Sequence, residues 1–533
     1  MTTSDQPVVI VGAGPTGLIV AIELARRGIG FHLVDRMVEP TSWSAAIFIK
    51  PRSLEILAAL GLTDAFMEHG QIVEEIDLYL GDRQVGAYQF RDLDTPYPYI
   101  LSIPEEQTIR LLTDKLEQLS GRVRRGVEFV GLEQSAANVR VRLRSEEAGD
   151  EVLDARWVVG ADGYRSAVRE ATGDPFQGRD YPELWGVVDG RIENWCHPRS
   201  LTCVQLEPPI VIPFPLGKDR WRVYFRPETT DEAALGMVEK RLGVICPGAR
   251  LVDRDAPAFF KSHSRLARTF RVGRVLLAGD AAHGSNPIEG HGMNAGMQDA
   301  FNLGWKLALL ASGYGSEPLL ESYETERRPV DRSIVQSGDE AYVRMDPRGG
   351  EARREAIDFL STSEGRRYAA LAESEINFAY DESPLVDEVG SLPPSSPGCT
   401  PKGARVGEVA GLIGSRGASS LYDLIYGTSV SLFILPEDRT PAAVAEARGW
   451  LRRAVAQMEQ VPESAFIVLR GSAPERPVPE DLIYDPMGKL HERLVGRGPG
   501  LCLIRPDGHL GFRSAPPDFD ALSAYLARLY GSP

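Results

Sequence analysis

Three short stretches of this chain carry residue types at spacings that can do chemistry. The first is Gly12-Ala13-Gly14-Pro15-Thr16-Gly17, directly after the apolar run Val8–Val11. In this GxGxxG pattern the first glycine permits a tight turn. The second lets the backbone approach a pyrophosphate, and the third lets helix and strand pack closely. A helix opening at that point offers free N–H groups and the positive end of its dipole to phosphates. Asp35, at the end of the next apolar run with Arg36 after it, is placed to accept hydrogen bonds from a ribose. The second stretch is Gly160-Ala161-Asp162-Gly163-Tyr164-Arg165-Ser166, at the carboxyl end of another apolar run. Ligands bind at such ends in open α/β sheets, but an ordinary strand-to-helix turn capped by Ser166 explains the spacing as well. The third is Ala278-Gly279-Asp280-Ala281-Ala282-His283, continuing through Pro287, Gly290, His291, Gly292, Met293 and Asn294. A carboxylate ending a buried strand needs partners, and ligand hydroxyls would supply them. The helix opening after Gly290 would stabilise negative charge on a ring system at its N-terminus.

The elements that must position these stretches follow from periodicity. Val8–Val11 reads as a buried parallel strand, residues 14–27 as a helix stopped at Gly28, and Phe31–Val34 as a second strand. Pro51–Leu60 and Pro104–Leu119 read as helices. Val139–Leu143 and Val152–Val159 read as strands. From 176 to 270 the pattern changes to short strand-like runs (Trp185–Ile192, Val211–Phe214, Trp221–Phe225) with one helix near Asp231–Leu242. The first pattern returns with strand Val275–Ala278 and a helix from His291 to Ala311. Residues 346–400 show few apolar periods, and Pro393-Pro394-Ser395-Ser396-Pro397 reads as a linker. A separate module follows, with strands at Val430–Leu435, Ala465–Leu469 and Gly500–Ile504. The expectation is an α/β protein whose first domain is interrupted by an inserted mixed sheet.

Composition narrows the function. The chain has 533 residues, 43% hydrophobic and 25% charged, with a net charge of −16. No basic stripe marks a nucleic-acid or anionic membrane surface. No apolar run is long enough to span a bilayer. Val8–Leu24 lacks the basic start and small-residue cleavage site of a signal peptide, so a cytoplasmic protein is expected. The five cysteines (Cys196, Cys203, Cys246, Cys399, Cys502) are scattered and odd in number, which argues against a disulfide framework and a CxxC zinc site. No histidine spacing suggests a metal.

Taken in order, the GxGxxG with Asp35-Arg36, the Gly-Ala-Asp-Gly stretch and the Gly279-Asp280-Ala-Ala-His loop resemble the single-component FAD-dependent aromatic hydroxylases. The likeness is to the para-hydroxybenzoate hydroxylase, phenol hydroxylase and pentachlorophenol monooxygenase types. The resemblance covers about residues 6–345, with a weaker match beyond. It implies a Rossmann-like FAD-binding domain in two pieces (1–175 and 271–345), a substrate-binding sheet domain (176–270), a connecting segment (346–400) and a thioredoxin-like C-terminal domain (401–533). That last domain lacks a CxxC pair, so dimerisation or structural support is expected of it.

The resemblance also assigns roles. Gly12, Ala13, Gly14, Pro15, Thr16 and Gly17 would line the FAD pyrophosphate. Asp35 and Arg36 would lie at the adenosine end, and Gln107 would face the flavin. Asp162 would belong to a motif shared by FAD and NAD(P)H. Asp280 would hold the ribityl chain. Pro287 would sit at the reacting edge, and Gly290, Gly292, Met293 and Asn294 at the flavin pyrimidine. The family's usual arginine before the Pro51 helix is replaced by Ser44-Ala45-Ala46.

The implied activity is NAD(P)H-dependent hydroxylation of a phenolic or polycyclic aromatic substrate by dioxygen through a flavin C4a-hydroperoxide. No residue discriminates NADPH from NADH. Baeyer–Villiger or epoxidising chemistry, or a non-catalytic FAD protein sequestering an aromatic ligand, are the alternatives. In strand Trp221–Phe225, side chains alternate, so Arg222, Tyr224 and Arg226 share a face. Tyr224 is the candidate to bind a phenolic oxygen or relay its proton, and Arg222 to stabilise a phenolate. Packing or salt bridging on the sheet is the competing reading for each.

Overall fold

The computed structural model describes residues 8–40, 46–230, 232–345, 350–390, 398–457, 463–474, 477–496 and 498–530. Asp231, Ser44, Ala45 and the expected linker Pro393–Pro397 lie outside them.

The β-branched run Val8–Val11 is wholly buried and forms the middle of a six-stranded sheet. It pairs in parallel with Trp157–Gly160 on one side and Phe31–Asp35 on the other. Val275–Leu277 pairs in parallel beyond Trp157–Gly160, and Val123–Arg125 beyond Phe31–Asp35. Arg271–Val272 closes one edge antiparallel. Val11 lies opposite Gly160, and Gly160 opposite Leu277. The three glycine-containing stretches therefore leave the sheet side by side at one end, although the sequence scatters them over nearly three hundred residues.

Two helices cover this sheet, Pro15–Ala25 and Gly292–Ala311, and glycines let them cross closely. A Cβ on Gly296 would stand 2.4 Å from the Thr16 hydroxyl, and one on Gly304 would stand 2.4 Å from Glu23 Cβ. The inserted segment forms a second sheet in the order Val211–Pro215, Trp221–Phe225, Phe176–Glu193, Ala258–Ala267, His283–Gly284. A hairpin from the first segment, Glu75–Leu80 and Arg83–Gln89, pairs with Leu201–Gln205 and extends that side of the molecule. Residues 350–374, which showed no clear apolar period, form two helices, Gly350–Ser361 and Ser363–Ser374.

The cysteines form one disulfide, which the sequence reading did not expect. Cys196 and Cys246 are bonded across 50 residues. Cys196 follows strand Phe176–Glu193 and Cys246 ends helix Glu232–Ile245. The pairing of that strand with Arg250–Val252 brings both ends together. Only tertiary structure shows that proximity. Cys203, Cys399 and Cys502 are free.

The C-terminal part is an eight-stranded sheet, and its core is continuous with that of the first sheet. Charged groups also join the two. Arg505 meets Glu326 through both guanidinium ends, Glu326 meets Lys306 at 2.6 Å, and Arg405 meets Glu55 at 2.9 Å, all nearly or wholly buried. Among the described residues no helix is long and apolar enough to cross a membrane.

Candidate functional site

The aligned strand ends open onto a cleft of about 290 Å³. Gly14, Pro15, Thr16, Ala161, Gly163, Asp280, Pro287, Gly290, Gly292 and Met293 all line it, so the structure brings together all three sequence stretches. The glycines divide their work. Gly12 has φ +103°, and a Cβ there would lie 2.2 Å from Ala161 O. A Cβ on Gly17 would lie 1.9 Å from Gly12 O, which makes this glycine a packing requirement. Around Gly14 a Cβ would meet nothing within 4 Å, so the space in front of it is open.

Several buried polar atoms near the cleft lack a partner: Gln107 Nε2, Ser285 Oγ and Asn286 Nδ2. Ser285 and Asn286 line the cleft, and so does Glu105, two residues before Gln107. Buried donors without acceptors are costly, and a polar group bound in the cleft would satisfy them. The Asp280 side chain faces the cleft. Although the side chain is exposed in the open cleft, the surrounding protein raises its carboxyl above the ordinary range, and the charge of His283 opposes that. The open glycine turn, the orphaned donors and the carboxylate fit a dinucleotide carrying hydroxyls and a polar ring.

Other expected site residues have local duties. Asp35 accepts the Ala13 N–H at 2.7 Å and the Met37 N–H at 2.8 Å, which fixes the glycine turn and leaves lone pairs on both oxygens. Arg36 is exposed beside it. Asp162 accepts from Ser166 Oγ and the Val168 N–H, and Ser166 caps helix Ala167–Thr172. The capping alternative thus describes this carboxylate, while its neighbours Ala161 and Gly163 line the cleft. The side chain of Asn294 has a local duty as well. Its Oδ1 accepts the Lys50 N–H at 2.9 Å and its Nδ2 donates to Phe48 O at 2.8 Å, stapling strand Phe48–Ile49 to the loop.

Tyr224 lines the cleft, and Arg222 beside it hydrogen-bonds its hydroxyl. Burial holds that hydroxyl protonated far above the usual tyrosine range, with Arg222 opposing. Arg222 has a carboxylate partner of its own. Its Nε and Nη2 each bond Asp189 at 2.7 Å, and it lines neither cavity. Arg226 pairs with Glu183 at 3.1 Å. The salt-bridge alternative therefore holds for both arginines.

Sequence reasoning missed a second, larger cavity of about 600 Å³. Its walls are apolar: Ile76, Leu78 and Tyr88 from the hairpin, Ile212 and Phe214 from the inserted sheet, and Phe359, Leu360 and Tyr368 from the two helices of 350–374. Phe48 lines both cavities. The loop from Pro287 to Gly292 separates them: Pro287, Gly290 and Gly292 face the cleft, and Ile288, Glu289 and His291 face the larger cavity. At that polar end the wholly buried Lys50 donates to Glu289 O at 2.7 Å and Glu373 Oε2 at 2.7 Å. His291 bonds Glu375 at 2.5 Å. Against burial and the charge of Lys50, Glu289 and Glu375 raise His291 to about 9.

Comparison with known proteins agrees with this geometry. The FAD binding domain family matches residues 5–338. Pentachlorophenol 4-monooxygenase of Sphingobium chlorophenolicum is 30% identical over 96% of this chain and 94% of that protein. Rifampicin monooxygenase of Streptomyces venezuelae is 34% identical over 70% of this chain and 79% of its own. Among solved structures, aklavinone-11 hydroxylase in ternary complex with FAD and aklavinone has the same fold, with a TM-score of 0.78 at 24% identity over 99% of each chain. The anhydrotetracycline hydroxylase of Streptomyces rimosus gives 0.74 at 28% identity, also over 99% of each. With a family match over more than half its length and a monooxygenase relative at 30% identity along nearly all of it, the chain belongs to the FAD-binding family of flavin-dependent aromatic monooxygenases.

Proposed function

We propose that this protein is an NAD(P)H-dependent flavoprotein that hydroxylates a phenolic or polycyclic aromatic substrate. One observation carries the reading: a large apolar cavity sits directly behind the loop and the phenyl ring that wall the cofactor cleft. Such a cavity accepts a flat ring system and keeps its reacting edge next to the cofactor.

When bound, FAD takes two electrons from the nicotinamide and activates dioxygen, so that one oxygen atom enters a ring C–H bond and the other leaves as water. The chain's own residues do the rest. The Gly12–Gly17 turn and the helix behind it hold the pyrophosphate, with Asp35 at the ribose and Asp280 at the ribityl hydroxyls. Pro287 and Phe48 fix the gap between cofactor and substrate. Tyr224 stays protonated and donates to an oxygen in the cleft, with Arg222 and Asp189 holding it in line. Lys50, its own donors taken by Glu289, Glu373 and His291, holds the polar end of the larger cavity in place, where His291 and Glu289 would face a substrate hydroxyl or carbonyl.

The parallel strand order supports a Rossmann-like first domain. The C-terminal sheet, joined through a shared core, supports the role of a structural support.

The test is NAD(P)H consumption by the FAD-loaded protein against phenols and polycyclic phenols, with product mass recorded. A gain of one oxygen atom that requires both NAD(P)H and substrate is expected. Substrate that binds without raising consumption would leave a sequestering protein in its place, and insertion beside a ketone would make it a Baeyer–Villiger enzyme.

A further inference from the structure

Asp280 is presented to the cleft by a short helical turn, Gly279–Ala281, and that turn is gripped from behind by one carboxylate. Asp299, on helix Gly292–Ala311, accepts the Gly279 N–H at 2.9 Å and bonds His283 Nε2 at 2.7 Å, both through Oδ2. Its Oδ1 accepts Arg327 Nε at 2.7 Å. Gly279 precedes Asp280 and His283 follows it, so Asp299 holds both sides of the residue that faces the cleft. Gly279 itself adopts φ +61°, a conformation that favours glycine and needs such support. Asp299, His283 and Arg327 are all buried.

A second carboxylate lies beside the first. Asp331 Oδ1 accepts Arg327 Nη2 at 3.0 Å. Its Oδ2 lies 3.8 Å from His283 Nε2 and accepts no hydrogen bond. The histidine and two aspartates have the spacing of a cation site, but the guanidinium of Arg327 already bonds both carboxylates. Two carboxylates in a dry interior do not both ionise freely. Asp299 collects three donors and is the charged one. Burial and the neighbouring charge raise Asp331 to about 8, so it keeps its proton near neutrality. The unpartnered Oδ2 is then the oxygen that carries the proton, beside Asp299.

We propose that Asp299 is a positioning residue for the cofactor, fixing the Gly279–His283 turn so that Asp280 meets the FAD ribityl chain, and that Asp331 is its uncharged, proton-donating partner. This rests on the reading of Asp280 as the ribityl anchor.

The experiment measures FAD affinity of the apo full-length chain by quenching of flavin fluorescence. Visible circular dichroism of the bound flavin and melting of the apo protein accompany it, for Asp280→Asn, Asp299→Asn and Asp331→Asn. Asp280→Asn and Asp299→Asn should each weaken FAD binding about tenfold or more, the scale of a lost hydrogen bond to a charged group. Both should change the flavin dichroism. Asp331→Asn, which keeps an N–H donor where the proposal puts an O–H, should bind FAD within about twofold of the parent. If Asp280→Asn leaves affinity intact, the anchor reading falls. If Asp280→Asn weakens binding but Asp299→Asn lowers only the apo melting temperature, the positioning role falls and Asp299 is purely structural. Equal FAD losses in Asp299→Asn and Asp331→Asn would overturn the assigned asymmetry. Should Asp299→Asn fail to fold, His283→Gln tests the same grip through its other partner, with the same expected loss.

Discussion

Arg505 and Glu326 meet end to end in the interior, Nη1 to Oε1 at 2.6 Å and Nη2 to Oε2 at 2.8 Å, with neither side chain exposed. Arg505 belongs to the C-terminal part and Glu326 to helix Pro318–Met345, which packs on helix Gly292–Ala311 and on strand Ala258–Ala267 of the inserted sheet. Asp507 extends the joint by accepting from Trp305 Nε1 and Asn302 Nδ2, and its carbonyl accepts Arg52 Nη2 at 2.7 Å.

The C-terminal part is therefore not a detachable module. Removing residues 400–533 would uncover Lys306 and Glu326 together with a broad apolar face. We expect that truncated chain to be insoluble or unable to hold FAD. Arg505→Met, which leaves Asp507 a buried charge without its arginine and Glu326 with Lys306 as its remaining cation, should lower stability by about 3 kcal/mol. Urea unfolding of the two full-length proteins measures this. A truncated chain that stays soluble and yellow would show that the joint is dispensable.

The glycines of the first turn make a sharper prediction, because they are required for different reasons. Gly17→Ala puts a methyl group against Gly12 O and should lower the melting temperature of the apo protein as well as FAD affinity. Gly14→Ala meets open space. Its apo protein should melt close to the parent while FAD affinity falls by about tenfold or more. Melting and flavin titration of both variants separate the two cases. Equal apo stability losses would mean that Gly14 also packs.

This difference shows what the sequence made legible. The strand–turn–helix around Gly12, Asp35 at the next strand end and the Asp280 loop were readable because short-range pattern and backbone chemistry determine them. Their convergence on one cleft follows once three parallel strands neighbour one another. The larger cavity was not readable. Its walls come from Glu75–Gln89, Val204, Phe214 and residues 350–374, which meet only through long-range pairing. The helices at 350–374 carry one apolar, cavity-lining face among many charged residues, so their low mean hydropathy hid a real helical period. The Cys196–Cys246 bond and the Lys50–His291–Glu373 cluster are contacts of the same long-range kind. Arg222 was placed on the right face of its strand, but its partner Asp189 sits on a neighbouring strand that the alternation rule does not reveal.

Tyr224 offers a test of the chemistry at the cleft. Its hydroxyl is held protonated by burial, so it acts as a donor and not as a base near neutrality. Tyr224→Phe removes that donor and keeps the ring. The expected result is a fall in kcat of about a hundredfold, with FAD affinity unchanged. NAD(P)H consumption should become less tightly linked to product. Because the parent hydroxyl does not ionise in the working range, the variant should keep the same pH inflections below about 10. An inflection lost between pH 7 and 9 would make Tyr224 the titrating base.

The polar end of the larger cavity predicts a pH dependence of stability. His291 is raised to about 9 by Glu289 and Glu375 against burial and Lys50. A group raised on folding stabilises fully below its unfolded value, near 6.5, and loses that contribution as pH climbs through about 9. A shift of this size corresponds to about 3 kcal/mol. Glu289 is lowered to about 2, with His291, Ser337 and Lys50 outweighing burial. Its contribution is present above about 4.5 and disappears as pH falls through about 2. Together they place the most stable range of this cluster between about 4.5 and 6.5. His283, also raised to about 9 beside Asp299 and Asp331, adds to the alkaline loss. His291→Gln should therefore be less stable than the parent at pH 6.5, yet lose less on going to pH 10, with the His283 share of the decline retained. Urea unfolding at pH 6.5, 8 and 10 reads this directly. An unchanged alkaline decline in the variant would mean that His291 is already neutral in the folded protein, and that Lys50 alone carries the positive charge at this end of the cavity.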